Sequence, residues 1–248
     1  PKYRAAQILD WAYQKNVLSW DEMRNIPQEA REKLAQTISL SALDAAEEKK
    51  AVAGGSVKFL FKTRDGHFLE SVLISQKEDG EDPGGRQTVC VSTQLGCKVR
   101  CAFCASGQGK FVRNLTAGEI VEQVARIARM TGKKVTNVVF MGMGEPLDNF
   151  EETLKAVRVL IEPWGFAFGA RRVTVSTSGI IPKILEFVKA VDGRVRLSVS
   201  LHSSIEEGRS TLVPVNRRYP LKELLSALRK INQDLKRYIT FEYTLIDR

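Results

Sequence analysis

The sequence predicts an α/β fold in which a parallel sheet with packed helices follows a small N-terminal helical domain. Three observations carry this prediction. Strand-like apolar runs alternate with helical segments from residue 88 onward, which indicates repeated βα units. A hairpin signal precedes them, and the first 50 residues show helical spacing. The length of 248 residues, 43% of them hydrophobic, suffices for one sizeable core and a small appended domain.

Residues 1–50 are predicted to form a helical accessory domain. Apolar residues recur at helical spacing in two stretches, and Pro27 stands where it could be the first residue of a second helix. The two sets are Ile8, Trp11 and Ala12, followed by Ala30, Leu34 and Ile38. Such a bundle either only packs on the main domain or helps to hold RNA, and the sequence favours neither reading.

Residues 51–87 are predicted to form a β-hairpin extension and a loop. Gly54 and Gly55 mark the boundary with the helical domain. Two strand-like runs, 56–62 and 67–75, flank Arg64-Asp65-Gly66, which is a turn signal. The acidic, glycine-containing stretch 76–86 reads as a loop.

Residues 88–248 are predicted to form the parallel sheet. Thr116 and Glu119 make a capping box for one helix, and Asn149 with Glu152 opens the next. Polar or glycine-rich segments follow four of the strands, and active sites of parallel sheets lie at the carboxyl ends of strands. One composite site is therefore expected there. The last helix carries an apolar stripe at Leu221, Leu224, Leu225, Leu228 and Ile231, and the strand candidates are Thr88–Ser92, Thr136–Met141, Arg172–Ser176, Arg194–Leu201 and Tyr238–Ile246.

Three cysteines after the first of these strands leave a metal site one ligand short. Cys97, Cys101 and Cys104 form a C-x-x-x-C-x-x-C loop. Structural zinc takes four protein ligands, whereas a reactive centre keeps one position open, and thiolates also bind iron–sulfur clusters. Cys90 lies seven residues before the loop, and neither histidine lies in it. A cluster is favoured, with zinc or a disulfide as the alternatives.

The charge balance favours a polyanionic partner. Lys and Arg total 38 against 29 Asp and Glu, a net charge of +9, which makes nucleic acid the first candidate, although a basic domain can also have no such role. No run of 18 apolar residues is present, so no membrane span is expected. Free thiols fit a reducing cytosol, and a cytoplasmic location is expected. The start has neither Met nor an apolar leader, so the chain is expected to be trimmed there.

Taken together, several motifs resemble the radical S-adenosylmethionine (SAM) adenine-carbon-2 methyltransferases, which modify 23S rRNA and, in many members, tRNA. The resemblance spans the whole chain. Related enzymes methylate carbon 8 of the same adenosine and usually carry Ala after Gly-Glu, so Pro146 favours carbon 2. The matching segments are Cys90-Val-Ser-Thr-Gln-Leu-Gly-Cys97, Cys101-Ala-Phe-Cys104, Arg113-Asn-Leu-Thr-Ala-Gly-Glu-Ile120, Met141-Gly-Met-Gly-Glu-Pro146, Arg171-Arg-Val-Thr-Val-Ser-Thr-Ser-Gly179, Ser200-Leu-His202 and Val213-Pro-Val-Asn216.

The resemblance implies a (βα)6 radical SAM barrel and a role for each matched residue. Cys90 would be the thiol that resolves a protein–RNA adduct, and Glu70 would be a proton acceptor, unless it is only an exposed strand carboxylate. The expected partners are 23S rRNA, possible tRNA substrates, and an electron donor such as flavodoxin or ferredoxin, and a monomer is expected. Cys97, Cys101 and Cys104 would bind a [4Fe-4S] cluster, and SAM would contact Gly144, Glu145, Ser176, Ser200, Leu201 and His202.

The sequence departs from this family at its C-terminal end. Family members place a methyl group on a cysteine near their C-terminus, and a radical derived from a second SAM activates it. No cysteine follows Cys104, and the last barrel strand has no counterpart. We therefore expect a partial barrel that belongs to a longer enzyme and cannot complete methyl transfer as it stands. The alternatives are a carbon-8 methyltransferase, a radical SAM enzyme of another reaction type, and a metal-stabilised RNA-binding module without catalysis.

Overall fold

One mixed sheet organises the chain in the computed structural model, which describes residues 2–50, 55–76, 85–235 and 238–246. A second ladder consists of two short strands only. The strands formed by the described residues are β1 (Leu43–Lys50), β2 (Ser56–Thr63), β3 (Phe68–Gln76), β4 (Arg86–Cys90), β5 (Gln94–Leu95), β6 (Arg113–Asn114), β7 (Asn137–Phe140), β8 (Val173–Thr177), β9 (Arg196–Ser200) and β10 (Thr240–Glu242).

The main sheet has the order β1-β2-β3-β4-β7-β8-β9-β10. The pairs β1–β2, β2–β3 and β3–β4 are antiparallel, whereas β4, β7, β8, β9 and β10 run parallel to one another. All five strands predicted from residue 88 onward are present: β7, β9 and β10 are shorter than predicted, and β4 and β8 are shifted by one or two residues. The predicted α/β class is confirmed, and the antiparallel strands extend the sheet on the β4 side.

Helices cover one face of the parallel strands. The α-helices of the described residues are α1 (Lys2–Leu9), α2 (Gln28–Ala35), α3 (Ala105–Gln108), α4 (Ala117–Thr131), α5 (Phe150–Ile161), α6 (Ile181–Ala190), α7 (Glu206–Leu212) and α8 (Leu221–Leu235). Among the described residues, none of these helices has the length and apolar character that crossing a bilayer requires.

Helix α4 shows how local sequence sets these elements. Thr116 Oγ accepts a hydrogen bond from Glu119 N at 3.2 Å, and Glu119 Oε2 accepts one from Thr116 N at 2.8 Å, which confirms the predicted capping box. Such a cap stabilises a helix by about 1 kcal/mol. Gly132, with φ of +66°, ends the helix in the left-handed conformation that glycine adopts without strain.

The helix-facing side of the sheet is the core. Val138, Val175 and Val199 are fully buried between strands and helices, as expected for parallel strands that are covered. Leu224, Leu228 and Ile231 of α8 are also buried, which confirms the predicted apolar stripe. The other face of the sheet carries smaller and more polar side chains.

The helical prediction for residues 1–50 is wrong over 43–50. These residues form β1, which pairs with β2, and Leu43 is buried. Ala, Glu and Lys in this segment are good helix formers, but such propensities amount to less than about 1 kcal/mol per residue, and pairing with an adjacent strand overrides them. Pro27 lies one residue before α2 rather than inside it, and the helix ends before Ile38.

The remaining N-terminal helices form a small core of their own, which is held on α4. Val17, Trp20 and Met23 are its buried residues together with Ile26. Glu122 of α4 accepts hydrogen bonds from Ser41 Oγ at 2.9 Å and from the backbone N of residue 42 at 2.6 Å. This buried carboxylate therefore fixes the connection between the two units.

The predicted hairpin is confirmed. Strands β2 and β3 are antiparallel, and Thr63 N donates to His67 O at 2.8 Å across the turn. Gly66 has φ of +84°, which explains the glycine at that position. Gly54 and most of the loop predicted at 76–86 lie outside the described residues.

Candidate active site

The open face of the parallel sheet carries the polar residues predicted to form one site. Strand register pairs Cys90 with Val139, Ser176 with Ser198, and Ser200 with Glu242. Successive side chains of a strand point to opposite faces, and the helix-covered face belongs to the alternate residues. Cys90, Ser176 and Ser200 therefore share the open face, near the carboxyl ends of their strands.

The cysteine loop folds over this end of the sheet. Cys97 is buried, and Cys101 and Cys104 are half-buried. Cys104 N donates to Cys101 O at 3.1 Å, and Ala102 N donates to Leu212 O of α7 at 2.9 Å. All four cysteines are free thiols, so the structure pairs none of them in a disulfide. The loop has a defined shape that presents three thiols in one region.

A buried amide closes this loop at its base. Asn149 Nδ2 donates to Thr93 O at 2.9 Å and to Leu115 O at 2.8 Å, so it joins the backbone before the cysteines to the backbone after them. The sequence identified Asn149 only as the start of α5. It does precede that helix, but its side chain makes no helix cap.

Burial keeps the Cys97 and Cys101 thiols protonated near neutral pH in the absence of a cation. It raises the pKa of Cys97, and it raises the pKa of Cys101 to about 12, with added repulsion from Cys97 and Cys104. Coordination to a metal centre reverses this preference, since a coordinating thiol is deprotonated outright. Three clustered thiols therefore fit a thiolate-bound centre with one ligand missing.

The surroundings of the loop also fit an anionic group. Arg209 is fully buried, its Nε has no hydrogen-bond partner, and its charge acts on Cys101. In the part of the chain that the structure describes, no three Cys, His, Asp or Glu side chains have the spacing of a single-ion site. The three cysteines as cluster ligands remain a prediction, which the donor set supports.

The Gly142–Pro146 segment lies directly beside the loop. Glu145 N donates to Gln94 Oε1 at 2.9 Å. A Cβ atom at Gly144 would lie 2.5 Å from Cβ of Gln94, so the close approach of the two backbones requires glycine there. Gly144 also has φ of +102°. The segment is thus held against the residues that lead into the cysteine loop.

Glu145 joins two strand ends. Its Oε2 accepts hydrogen bonds from Ser178 N and Ser178 Oγ, both at 2.7 Å, and its Oε1 accepts one from Leu147 N at 3.0 Å. Burial raises the pKa of this carboxyl group. Its side chain therefore has a structural role that the sequence did not indicate, and its contact with SAM remains a prediction.

The ends of β8, β9 and β10 meet around Glu242. Ser176 Oγ donates to Glu242 Oε1 at 2.8 Å, and Leu201 N donates to the Glu242 carbonyl at 2.9 Å. These contacts bring Ser176, Ser200 and Leu201 together, as predicted. No local sequence signal marks Glu242, because its partners lie 40 to 66 residues away in the chain.

His202 contacts the cysteine loop directly. Its ring lies edge-on to the ring of Phe103, with centroids 4.4 Å apart, and its backbone has φ of +57°. Burial lowers the pKa of His202, and its Nδ1 accepts a hydrogen bond from Thr244 N at 3.1 Å. The neutral ring therefore carries its proton on Nε2. A cavity of about 560 Å³ opens beside it, lined also by Ser203 and Leu212.

Cys90 and Glu70 lie on the open face at one side of the site. Cys90 pairs with Val72 across β3 and β4, and Glu70 precedes Val72 by two residues, so the two side chains share a face. Burial raises the pKa of Cys90 to about 11. Glu70 is exposed and forms an ion pair with Lys58 at 3.0 Å. Their predicted roles are untested by this geometry.

Comparisons with known proteins identify the family of the chain. Residues 91–248 match the family model of the radical SAM superfamily, and residues 1–40 match that of the ribosomal RNA large subunit methyltransferase N-terminal domain. A probable dual-specificity RNA methyltransferase RlmN 2 of Protochlamydia amoebophila is 45% identical over 99% of this chain and 67% of its own length.

Two further proteins extend the match. The dual-specificity RNA methyltransferase RlmN of Campylobacter hominis is 42% identical over all of this chain and 71% of its own length. The crystal structure of a radical SAM methyltransferase from Sphaerobacter thermophilus superposes with a TM-score of 0.89 at 46% identity, and it covers all of this chain and 71% of the other. The chain belongs to the RlmN family of RNA methyltransferases within the radical SAM superfamily.

Proposed function

We propose that the protein methylates carbon 2 of adenosine in 23S rRNA and in tRNA. The observation that carries this proposal is the position of the three-thiol loop over the ends of the parallel strands. There Phe103 of the loop contacts His202, and the charge of Glu145 acts on Cys97 and Cys101, in a chain of the RlmN family. Pro146, rather than Ala, supports carbon 2 over carbon 8, which is the alternative within the superfamily.

The residues present fit a [4Fe-4S] cluster with SAM on its open position. That pair, when bound, supplies one-electron reductive cleavage of SAM. Cys97, Cys101 and Cys104 would hold the cluster. Six residues would bind and orient SAM. They are Gly144 and Leu201 through their backbone, Ser176 and Ser200 through their hydroxyl groups, Glu145 through its buried carboxylate, and His202 through its neutral ring.

Cys90 and Glu70 would serve the RNA side of the reaction. Cys90 holds its proton at neutral pH because burial raises its pKa to about 11, so it needs a base before it can attack as a thiolate. The carboxylate of Glu70 lies on the same face and is exposed, where it can accept a proton. The division of these roles follows the family resemblance.

The remaining partners follow from charge and chemistry. The net charge of +9 suits binding to RNA phosphates. Reduction of a cluster requires a low-potential donor, for which a flavodoxin or ferredoxin is proposed. We place a monomeric enzyme in the cytoplasm, where its RNA substrates are found. A metal-stabilised RNA-binding module without catalysis is the alternative from a different class.

The test combines cofactor loading with product analysis. Protein expressed from its complete reading frame and reconstituted without oxygen is incubated with SAM, a reductant, and either a 23S rRNA fragment or tRNA. Mass spectrometry against 2-methyl- and 8-methyladenosine standards then identifies the product. The proposal expects 2-methyladenosine, whereas 8-methyladenosine or unmodified RNA would contradict it.

Single cysteine variants separate the assigned roles. Cys97→Ala should lose the iron. Cys90→Ala should keep it and accumulate a covalent protein–RNA adduct on a denaturing gel. Iron retained in the first variant, or no adduct with the second, would refute the corresponding assignment.

A further inference from the structure

Arg209 of α7 is a fully buried cation beside the candidate active site. Its Nη2 donates to Ser178 O at 2.6 Å and to Ser200 O at 3.1 Å, and its Nη1 donates to Asn216 Oδ1 at 2.6 Å. One planar guanidinium therefore bridges the ends of β8 and β9 and the Val213–Asn216 segment. A buried arginine with three such acceptors holds them at fixed spacing.

No carboxylate among the described residues forms an ion pair with this guanidinium. Its acceptors are two carbonyls and one amide, and its Nε is buried without a partner. Glu206 is the acidic group whose charge acts on it, but that carboxylate accepts its hydrogen bonds from Asn216 Nδ2 and Leu221 N. Buried charges in proteins are normally balanced, so a further negative group is expected nearby.

The cysteine loop provides the place for that group. Ala102, next to Cys101, is hydrogen-bonded to the last residue of the helix that carries Arg209. Phe103, the next residue of the loop, packs edge-on against His202 with ring centroids 4.4 Å apart, two residues beyond the Ser200 carbonyl that Arg209 binds. Glycine at position 179 leaves room for the guanidinium, since a Cβ there would lie 3.2 Å from Arg209 Nη2 and 2.9 Å from a Leu224 methyl group.

We propose that Arg209 is a positioning residue that ties the ends of β8 and β9 together and places a fixed positive charge beside the thiolate-bound cluster. This inference rests on the proposed function. A nearby positive charge stabilises the reduced, more negative state of a cluster, and net charge around the site is one of the terms that set its potential. Arg209 therefore makes the cluster easier to reduce.

The test measures the cluster midpoint potential in the reconstituted full chain, by dithionite titration followed by electron paramagnetic resonance. Arg209→Gln removes the buried charge and should shift the potential to a more negative value. Arg209→Lys keeps the charge and should restore it towards the parent value. Glu206→Gln removes the negative charge near Arg209 but keeps a hydrogen-bond acceptor for Asn216. It should therefore shift the potential to a less negative value.

Arg217→Gln is the matched control, because Arg217 lies one residue after Asn216 and is exposed. Water screens its charge, so the potential should stay at the parent value. Equal potentials for Arg209→Gln and Arg217→Gln would overturn the inference. If Arg209→Gln does not fold, Glu206→Gln decides, and an unchanged or more negative potential overturns it. A parent chain that binds no iron refutes the proposed function instead.

Discussion

The amide of Asn149 should control both the stability of the fold and the retention of the cluster. It is buried, with 3% of its surface exposed, and makes two hydrogen bonds across the base of the cysteine loop. Asn149→Ala removes both donors. In this variant Thr93 O still accepts a hydrogen bond from Leu115 N at 3.0 Å. Among the described residues Leu115 O has no donor other than Asn149, so this one carbonyl is left unsatisfied.

The size of the effect follows from these bonds. A net hydrogen bond contributes about 0.5–1.5 kcal/mol, and an unsatisfied buried polar group costs about 1–3 kcal/mol. Asn149→Ala should therefore lower the free energy of unfolding by about 2–4 kcal/mol. For a chain of this length, this corresponds to a fall of about 4–16 °C in Tm.

The assay is thermal unfolding of the apoprotein by circular dichroism, paired with iron content after reconstitution. Asn149→Asp keeps the shape but has no donor, so it should lose at least as much stability as Asn149→Ala. The exposed Asn232→Ala is the matched control and should change the free energy by less than about 0.5 kcal/mol. If Asn149→Ala unfolds at the temperature of that control and binds as much iron, the loop is not held by this amide.

Three further predictions concern the backbone, the acid stability and the RNA. Gly144→Ala should lower the free energy of unfolding by about 2–5 kcal/mol, because the added Cβ clashes with Gln94 and the backbone φ is unfavourable for alanine. Gly132→Ala meets only the unfavourable φ and should lower it by about 1 kcal/mol, so equal falls in Tm would contradict this prediction. Hydrogen bonds from Arg113 hold the pKa of Asp65 well below its usual range; they also lower the pKa of Glu119, although burial opposes this. Their stabilisation is fully present above a pH of about 4.5 and is lost only as pH falls through the lowered folded-state pKa values, so Arg113→Met should weaken urea resistance more at pH 7 than at pH 3. Equal losses at the two pH values would refute the ion-pair account. RNA affinity should fall steeply with added salt, because phosphate contacts release counterions, and a flat response would make the positive charge incidental.

Local signals in the sequence were enough for much of the fold. The Thr116–Glu119 capping box, the Arg64–Gly66 turn and the apolar stripe of α8 each depend on residues a few positions apart, and the structure has all three. Each of these features is decided by short-range geometry, so the residue pattern identifies it directly. The motif of three cysteines likewise located the candidate site before any contact was known.

Features that depend on distant partners were missed. Strand β1 has a helix-favouring composition and is a strand only because β2 pairs with it. The contacts that Arg209, Glu242 and Asn149 make in the site have no local signature, because folding brings their partners to them from distant parts of the chain. Ser200 was predicted from the Ser-Leu-His motif, but its tie to Arg209 became visible only in the structure.

The measurement that tests the cluster assignment most directly is the iron and sulfide content of the chain after purification and reconstitution without oxygen. An absorption spectrum would be recorded before and after SAM is added. The three-thiol loop with its open position predicts about four irons and four sulfides per chain, and a spectrum that SAM perturbs. One zinc per chain without iron would contradict it and would leave a metal-stabilised RNA-binding module as the better description.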